Sequence, residues 1–411
     1  RTDRIAEYVA QAFRIARSGR PGPVVLALPE DVLSAEIDAP ARSCQAPPEP
    51  PRGAVSRAQA EAAVALLQDA ERPMILVGGS LWSQVAHRAA PELAHRLGAP
   101  LAATFRRQDF VDNDDLAYCG DLGVGMNPAL GRRLSRADAL LLLGAELNDI
   151  TTGDFAHLDA QAPPRIVQVA PSADMVSKHY PADIALLADP ETALEALLDA
   201  LPEGSAPDRG MTAARADYEA WQDPQATPGA VRMEEVIAWL RDHAGPEMIV
   251  TNGAGNYAAF LHRYHRFRRF GTQIAPTSGS MGYGLPAAIA AKLARPEAIV
   301  VCLAGDGCLQ MTIQELSTAR QHGADIIVVV ANNGRYGTIR MHQEKSYPGR
   351  VSGTELFNPD YAALARAYGG TGHRITETAE FAAAFETARQ GGLHVIELVL
   401  DPRMLSTTRA L

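Results

Sequence analysis

Two short polar clusters in this sequence carry the residue types of a site for a metal-bridged phosphate. Gly305-Asp306-Gly307 directly follows one apolar run, and Asn332-Asn333 directly follows the next. A carboxylate and a carboxamide oxygen, with a backbone carbonyl just beyond them, are hard ligands that suit Mg²⁺ or Ca²⁺. The glycines allow the backbone to approach a phosphate at the start of the following helix. Together the clusters predict a cation-bridged diphosphate site.

The elements around these clusters must bring them together. The apolar runs 298–303 and 326–331 predict strands buried on both faces, as in a parallel sheet covered by helices. A helical pattern near 311–322 separates the runs, so one helix and one strand connect Asp306 to Asn333. The carboxyl ends of adjacent parallel strands meet at the edge where open α/β sheets bind ligands. Both side chains are therefore expected at one edge.

The same alternation extends through most of the chain and predicts an α/β fold with two doubly wound parallel-sheet domains. The predicted strands are 74–77, 101–104, 139–143, 166–169 and 184–187 in the first domain, and 248–251, 298–303, 326–331 and 395–399 in the second. Predicted helices of the second domain lie near 281–294, 311–322, 359–368 and 377–390.

Proline-rich stretches predict the domain boundaries, because proline lacks an amide donor and favours extended backbone. Residues 1–38 form a short leading segment, and the lack of an initiator residue at Arg1 indicates a longer natural chain. The other divisions are a linker at 39–53, a central domain at 54–203, a second linker at 204–229 and a C-terminal domain at 230–411.

The composition excludes several classes of protein. The 411 residues are 47% apolar and 21% charged, which is ordinary for a folded globular chain. The formal net charge of −10 argues against a nucleic-acid partner, and no apolar run approaches the roughly 20 residues of a membrane helix. Four cysteines without a C-x-x-C pair favour reduced thiols in the cytoplasm. A small-molecule partner is expected, with neither nucleic acid nor membrane.

The polar clusters resemble the cofactor motif of thiamin-diphosphate-dependent enzymes, in particular the acetolactate-synthase-like and 2-oxo-acid decarboxylase family. The likeness covers most of the chain. Gly279–Ala288 resembles the segment that supports the cofactor's aminopyrimidine, and Ser18–Val24 resembles the end of the family's pyrimidine-binding domain. The resemblance implies that residues 1–38 are the C-terminal remnant of that domain and that residues 230–411 bind the cofactor's diphosphate.

The resemblance also implies site residues. The Mg²⁺ ligands would be Asp306, the Asn333 side chain and the Arg335 carbonyl, while Gly307 and Cys308 would face the diphosphate through their backbone amides. The full set of implied cofactor-binding residues is Gly255, Asn256, Tyr257, Gly279, Ser280, Met281, Gly305, Asp306, Gly307, Cys308 and Asn333.

Two implied roles concern catalysis directly. Met281 stands where the family places the bulky apolar residue that bends the cofactor into a V and so brings its imino nitrogen beside the reacting carbon. Thr338, Ile339 and His342 follow the ligand-bearing strand end, so they are expected on the substrate side. His342 is the candidate for proton transfer. The run 334–340 resembles aromatic 2-oxo-acid decarboxylases and carboligases, which disfavours simple pyruvate decarboxylation.

Two departures from the family restrict what the resemblance implies. The glutamate that activates the aminopyrimidine lies on the pyrimidine-binding domain, and no residue here takes that role by motif. Because a partner subunit completes the site in family members, a homodimer or homotetramer is implied. Glu146 stands where flavin-binding relatives carry arginine, which argues against FAD.

Other functions remain open. The leading hypothesis is cleavage or formation of a carbon–carbon bond next to the carbonyl of a 2-oxo acid or other carbonyl substrate. Gly253–Ala258 also matches G-x-G-x-x-A after a strand, a dinucleotide fingerprint. It lacks the acidic residue about 20 positions on, but Arg266, Arg268 and Arg269 suit the 2′-phosphate of NADP, so an NADP-dependent oxidoreductase is an alternative. The absent pyrimidine domain leaves a non-catalytic cofactor-binding module as a third.

Overall fold

The computed structural model describes residues 1–38, 49–159, 161–204 and 206–410. Within these residues the chain forms two six-stranded sheets in which paired strands are parallel. The central sheet contains β1 (Pro73–Val77), β2 (Leu101–Thr104), β3 (Tyr118–Leu122), β4 (Ala139–Leu143), β5 (Arg165–Ala170) and β6 (Ile184–Leu187). The C-terminal sheet contains β7 (Ile249–Asn252), β8 (Gln273–Ile274), β9 (Val300–Gly305), β10 (Ile327–Asn332), β11 (Thr371–Ile375) and β12 (His394–Val399).

The strand order confirms the prediction of two doubly wound sheets. It is β3-β2-β1-β4-β5-β6 in the central sheet and β11-β12-β10-β9-β7-β8 in the C-terminal sheet. The direction of winding reverses between β1 and β4 in the first sheet and between β7 and β9 in the second. Crevices open at the carboxyl ends of strands at such points, so each sheet offers one natural ligand position.

Helices connect the strands and cover both sheets. Their bounds are α1 (Ile5–Arg17), α2 (Glu30–Ser34), α3 (Arg57–Asp69), α4 (Gln84–Leu97), α5 (Pro128–Arg136), α6 (Asp149–Thr152), α7 (Pro190–Ala200), α8 (Met211–Trp221), α9 (Met233–His243), α10 (Tyr257–Tyr264), α11 (Gly284–Ala294), α12 (Asp306–Leu309), α13 (Glu315–Gln321), α14 (Gly337–Ser346), α15 (Tyr361–Ala367) and α16 (Glu380–Ala388). In the part of the chain that the structure describes, no helix combines the length and apolar character needed to cross a membrane.

Burial on both faces explains why the inner strands read as continuous apolar runs. Every residue of β4 and β9 is buried. Successive side chains of a strand point to opposite faces. Leu141 and Leu143 accordingly pack in a core with α3, α4 and α7, whereas Leu140 and Leu142 pack in a second core with α5 and α8. Helices on both sides therefore hold each sheet.

Three strands escape prediction from the sequence. Gly120 and Asp121, residue types that are depleted in strands, interrupt β3, and β8 has only two residues. β11 is an edge strand in which only Ile375 is buried, so it shows no apolar run. Strand formation at these places depends on the neighbouring strand more than on local composition.

Most of the predicted linker 39–53 lies outside the described residues. The predicted linker 204–229 contains α8, which packs against the central domain. Met211, Ala214 and Tyr218 are buried there, and the Tyr218 ring meets the Tyr118 ring edge to face at 5.1 Å between centroids. This stretch is therefore part of the central core as well as a connection.

The C-terminal core holds two buried histidines that make stability depend on pH. His262 and His265 are 6% and 5% exposed, and burial lowers the pKa of each imidazole to about 3. Both imidazoles are neutral in the folded chain, whereas in the unfolded chain they become protonated below their ordinary pKa of 6.5. The folded state therefore has its full stability from these groups above pH 6.5, and it loses that stability as pH falls toward 3. Asp109 and Asp121, whose pKa values burial raises to about 6 and about 7, act in the opposite direction over part of that range.

We expect His262→Leu to change the pH dependence of unfolding. Relative to the wild type, the variant should gain up to about 1.4 kcal/mol per pH unit between pH 6.5 and 4.5, because it removes one imidazole that must stay neutral. Urea unfolding at several pH values measures this difference, and replacement of the exposed His322 by leucine controls for losing a histidine. A difference that is constant with pH would contradict the expectation.

Candidate functional site

A cleft opens at the carboxyl edge of the C-terminal sheet, where the winding reverses between β7 and β9. Its walls border about 820 Å³ of empty space, which includes solvent at the open side. They come mainly from the ends of β7, β9 and β10 and from the start of α14. Most of the predicted site residues line it: Gly255, Asn256, Tyr257, Gly279, Met281, Gly305, Asp306, Gly307, Cys308, Asn333, Arg335, Thr338 and Ile339.

Asp306 follows β9 directly, and three hydrogen bonds hold its side chain. One carboxylate oxygen accepts from the Gly307 N–H at 2.8 Å, and the other accepts from the Gly334 N–H at 2.9 Å and the Asn358 amide at 2.7 Å. Burial raises the pKa of the Asp306 carboxyl, and these donors oppose the rise. A carboxylate fixed in this way keeps lone pairs for a cation in the cleft.

The two asparagines at the end of β10 have different partners and different roles. The Asn333 side-chain oxygen accepts from the Arg335 N–H at 3.3 Å and lies in the cleft wall. The Asn332 amide donates to Glu397 at 2.7 Å, and its oxygen accepts from Asn358 at 2.7 Å. Asn333 is thus placed for a ligand, whereas Asn332 supports the amide that holds the neighbouring carboxylate.

The backbone at Arg335 is oriented by its neighbours. The Leu356 N–H donates to the Gly334 carbonyl at 2.9 Å, and the Tyr336 N–H donates to the Thr354 carbonyl at 2.8 Å. Because the polar groups of successive residues in an extended chain point in opposite directions, the Arg335 amide and carbonyl face away from that pairing. The carbonyl of Arg335 therefore faces the side on which its own amide meets Asn333.

Two glycines let aromatic rings pack directly on the backbone of the motif. A Cβ on Gly305 would lie 2.8 Å from the Tyr257 ring, and a Cβ on Gly307 would lie 2.5 Å from the Tyr336 ring. Both distances are shorter than normal carbon contacts. A larger residue at either position would displace a wall of the cleft.

The first turn of α10 ties several cleft segments together. The Asn256 N–H donates to the Thr338 hydroxyl at 3.0 Å. The Tyr257 hydroxyl accepts from the Gly253 N–H at 3.1 Å and lies 3.3 Å from the Cys308 thiol. Burial raises the pKa of the Tyr257 hydroxyl well above its ordinary value, so this group stays neutral and acts through hydrogen bonds.

Both domains of the chain match families of known proteins. The family described as "Thiamine pyrophosphate enzyme, central domain" matches residues 60–197, and "Thiamine pyrophosphate enzyme, C-terminal TPP binding domain" matches residues 253–398. The acetolactate synthase isozyme 3 large subunit of Escherichia coli (strain K12) is 30% identical over 416 residues, covering 97% of this chain and 72% of that protein. The chain belongs to the thiamine pyrophosphate enzyme family.

Two other relatives are matched over only part of their length. The acetolactate synthase large subunit of Parasynechococcus marenigrum is 34% identical over 391 residues, covering 91% of this chain and 61% of that protein. The acetolactate synthase of Mycobacterium leprae is 31% identical over 389 residues, covering 90% of this chain and 61% of that protein. The chain thus spans about three fifths of the length of these two relatives, and the family resemblance drawn from the motifs is confirmed.

The donor set of the cleft fits the diphosphate end of the thiamine pyrophosphate family's cofactor. Asp306 and Asn333 supply hard oxygen atoms, and Gly305 and Gly307, at the junction of β9 and α12, also line the cleft. Among the described residues, no three His, Cys, Asp or Glu side chains cluster to hold a metal by themselves. A cation here would depend on one carboxylate together with amide, backbone and phosphate oxygens, a set that suits Mg²⁺.

Met281 stands in the cleft wall, on the turn between β8 and α11, and is 38% exposed. Gly279 and Gly282 beside it have φ of +73° and +78°, the left-handed region that favours glycine. The Gly282 N–H donates to the Cys308 thiol at 3.1 Å, which fixes the end of the turn. Ser280, between Gly279 and Met281, lines a neighbouring depression instead, so the structure does not bring it to the cofactor cleft.

The structure does not bring His342 to the cleft either. Thr338 and Ile339 lie in the first turn of α14 and line the cleft. His342 lies one turn further along, is exposed, and is absent from the described lining. A turn rises about 5.4 Å along the helix axis, so His342 lies about that distance along α14 from Thr338. No contact among the described residues tests proton transfer by His342, and this role stays a prediction from the sequence.

The three arginines that suggested an NADP site form ion pairs with carboxylates. Arg266 and Arg268 both pair with Asp114, at 3.0 Å and 2.5 Å, and Arg269 pairs with Glu247 at 2.9 Å. The first two pairs join the two domains. The arginine run is accounted for by these contacts, and neither the structure nor the relatives support an NADP site.

Several residues that line or support the cleft were not identified from the sequence. Asn358 lies in an irregular segment before α15 and shows no local pattern. Leu400, Met404 and Leu405 follow β12 and supply apolar wall. A signal existed for these three, because β12 neighbours β10 and its carboxyl end reaches the same edge of the sheet.

Proposed function

We propose that this chain is the central and cofactor-binding part of an enzyme that uses thiamin diphosphate and Mg²⁺ to cleave or form a carbon–carbon bond next to a carbonyl. The observation that carries this proposal is the convergence of Asp306, Asn333 and the motif glycines Gly305 and Gly307 on one cleft at the reversal point of the C-terminal sheet. When bound, thiamin diphosphate supplies an electron sink for a carbanion next to a carbonyl.

Within this proposal the polar residues hold the diphosphate and its cation. Asp306, the Asn333 side chain and the Arg335 carbonyl would bind Mg²⁺. The backbone amides of Gly307 and Cys308, at the start of α12, would donate to the diphosphate. The Gly307 amide already donates to Asp306, so the diphosphate would share this donor with the carboxylate.

Three further residues of the cleft would orient the reacting end of the cofactor and the substrate. Met281 would support the bent cofactor from the turn before α11, and Thr338 and Ile339 would face the substrate. We propose a 2-oxo acid or other carbonyl compound as substrate. The relatives named above are acetolactate synthases, which makes carboligation of 2-oxo acids the first activity to test.

Completion of the site would require a second subunit. The described cleft lining contains no glutamate, so we propose that the activating glutamate comes from the pyrimidine-binding domain of a partner in a homodimer or homotetramer. A cytoplasmic location is proposed because Cys119, Cys302 and Cys308 are buried free thiols.

We also propose that the central domain works without FAD. Glu146 lines a cleft at the carboxyl edge of the central sheet and pairs with Arg20 at 3.1 Å and Lys178 at 3.4 Å. These ion pairs engage Arg20 and Lys178, the cations that would otherwise be available to bind the phosphates of a flavin nucleotide. Flavin absorbance in the purified enzyme would contradict this proposal.

Titration of the full-length enzyme tests the function. We expect calorimetry to show thiamin diphosphate binding that requires Mg²⁺, and a panel of 2-oxo acids to yield carbon dioxide and carboligation products. NADP added in place of thiamin diphosphate is the matched control. Tight NADP binding without thiamin diphosphate binding would select the oxidoreductase alternative, and cofactor binding without turnover of any substrate would select the non-catalytic module.

A further inference from the structure

A run of four polar residues, which begins two positions after the end of β2, is packed into the boundary between the two domains. Its sequence is Arg106-Arg107-Gln108-Asp109, and Arg106, Gln108 and Asp109 are 3%, 0% and 3% exposed. Arg106 has φ of +59°, which residues other than glycine rarely adopt. Burying such side chains is costly unless they find partners. The side chains of Arg106, Gln108 and Asp109 find partners on the other domain.

Gln108 and Asp109 hold the start of β8. One Asp109 carboxylate oxygen accepts from the N–H groups of Gly271, Thr272 and Gln273 at 2.9, 3.1 and 3.2 Å. The Gln108 N–H donates to the Gln273 side-chain oxygen at 2.8 Å, and the Gln273 amide donates back to the Gln108 side-chain oxygen at 3.1 Å. The β8 edge of the C-terminal sheet is thus bound to the central domain.

Arg106 reaches further, to two segments of the cofactor cleft. Its guanidinium donates to the Gly253 carbonyl at 2.9 Å and to the Pro276 carbonyl. Gly253 begins the turn between β7 and α10, and Pro276 precedes the turn that carries Met281. One buried cation from the central domain therefore joins both turns.

We propose that residues 106–109 form an interdomain latch in which Arg106 is a positioning residue for the turns 253–256 and 277–283. This inference rests on the proposed function for its effect on the cofactor, since both turns line the proposed thiamin diphosphate site. Through the latch, the packing of the central domain sets the position of Met281 and of the first turn of α10.

Adhesion between domains does not by itself account for Arg106. The pairs of Asp114 with Arg266 and Arg268 already join the domains at a more exposed place. Arg106 is buried, and its Nε–H has no partner among the described residues, an arrangement that costs free energy. From this buried position Arg106 contacts two carbonyl groups at the cleft, which a surface ion pair cannot do.

The test uses the full-length enzyme and compares Arg106→Met with the matched control Asp114→Ala. Hydrogen exchange without cofactor should become at least tenfold faster at 277–283 in Arg106→Met and stay unchanged there in Asp114→Ala. Thiamin diphosphate affinity with Mg²⁺ should fall at least tenfold only in Arg106→Met. Arg106→Lys, which keeps the charge and can still reach one carbonyl, should give intermediate values in both measurements.

The two measurements separate the latch from the proposed function. Equal exchange at 277–283 in Arg106→Met and Asp114→Ala would overturn the latch whatever the cofactor does. Faster exchange in a protein whose wild type binds no thiamin diphosphate would support the latch and reject the proposed function. If Arg106→Met does not fold, Arg106→Lys decides: exchange at 277–283 as slow as in the wild type would overturn the latch, and faster exchange would support it.

Discussion

Asp306→Asn in the full-length enzyme is expected to weaken binding of Mg²⁺ and thiamin diphosphate about a hundredfold or more, which corresponds to about 2.7 kcal/mol of binding free energy. Asp306 supplies the sole carboxylate among the described residues that line the cleft. A hard divalent cation that has one protein carboxylate cannot replace it with a neutral amide of the same shape. Calorimetric titration with each ligand in the presence of the other measures the loss.

The control for Asp306→Asn lies on the same sheet. Asp325 precedes β10 at the opposite edge and is exposed, so Asp325→Asn should leave both affinities unchanged. Stability needs separate measurement, because Asp306 also accepts from Asn358 and from the Gly334 N–H. Unchanged Mg²⁺ affinity in a folded Asp306→Asn variant would reject the ligand assignment.

Gly253→Ala is expected to destabilise the chain by about 1–3 kcal/mol, the usual range for overpacking, and to weaken thiamin diphosphate binding about tenfold. A Cβ at this position would overlap the Cys308 thiol and lie 3.1 Å from the Tyr257 hydroxyl. The turn must then move, and with it the Gly253 carbonyl that Arg106 holds. Chemical denaturation and calorimetry measure the two effects.

A double-mutant cycle tests the cause. Cys308→Ala removes the atom that the new methyl group meets, so the double variant Gly253→Ala/Cys308→Ala should be less destabilised than the sum of the two single variants. Gly22, which has nothing within 4 Å of a Cβ, supplies the neutral control Gly22→Ala. Strict additivity in the cycle would show that the clash with the thiol is not the cause.

Much of the site followed from local sequence. The strands that carry Asp306 and Asn333 are buried on both faces, so they appear as uninterrupted apolar runs. Parallel pairing of β9 with β10 then places both strand ends at one edge. The predicted position of the cleft needed only these local patterns and the rule that parallel strands end together.

Other elements were not determined locally. β3 and β11 become strands because a partner strand offers its hydrogen-bonding groups, although their own composition is poor in strand formers. The position of His342 could not be predicted from the sequence, because it depends on the course of the chain after β10. In the helix α14, Thr338 lines the cleft, whereas His342 lies one turn further on and is exposed.

Only the tertiary structure decided which distant residues support the site. Asn358 holds Asp306 from 52 residues away, and Arg106 holds Gly253 from 147 residues away. Both lie in irregular segments, where no period of apolar residues marks a buried face. Their partners are set by how the domains and loops pack, and that packing depends on apolar burial summed over the whole chain rather than on residues near each other in sequence.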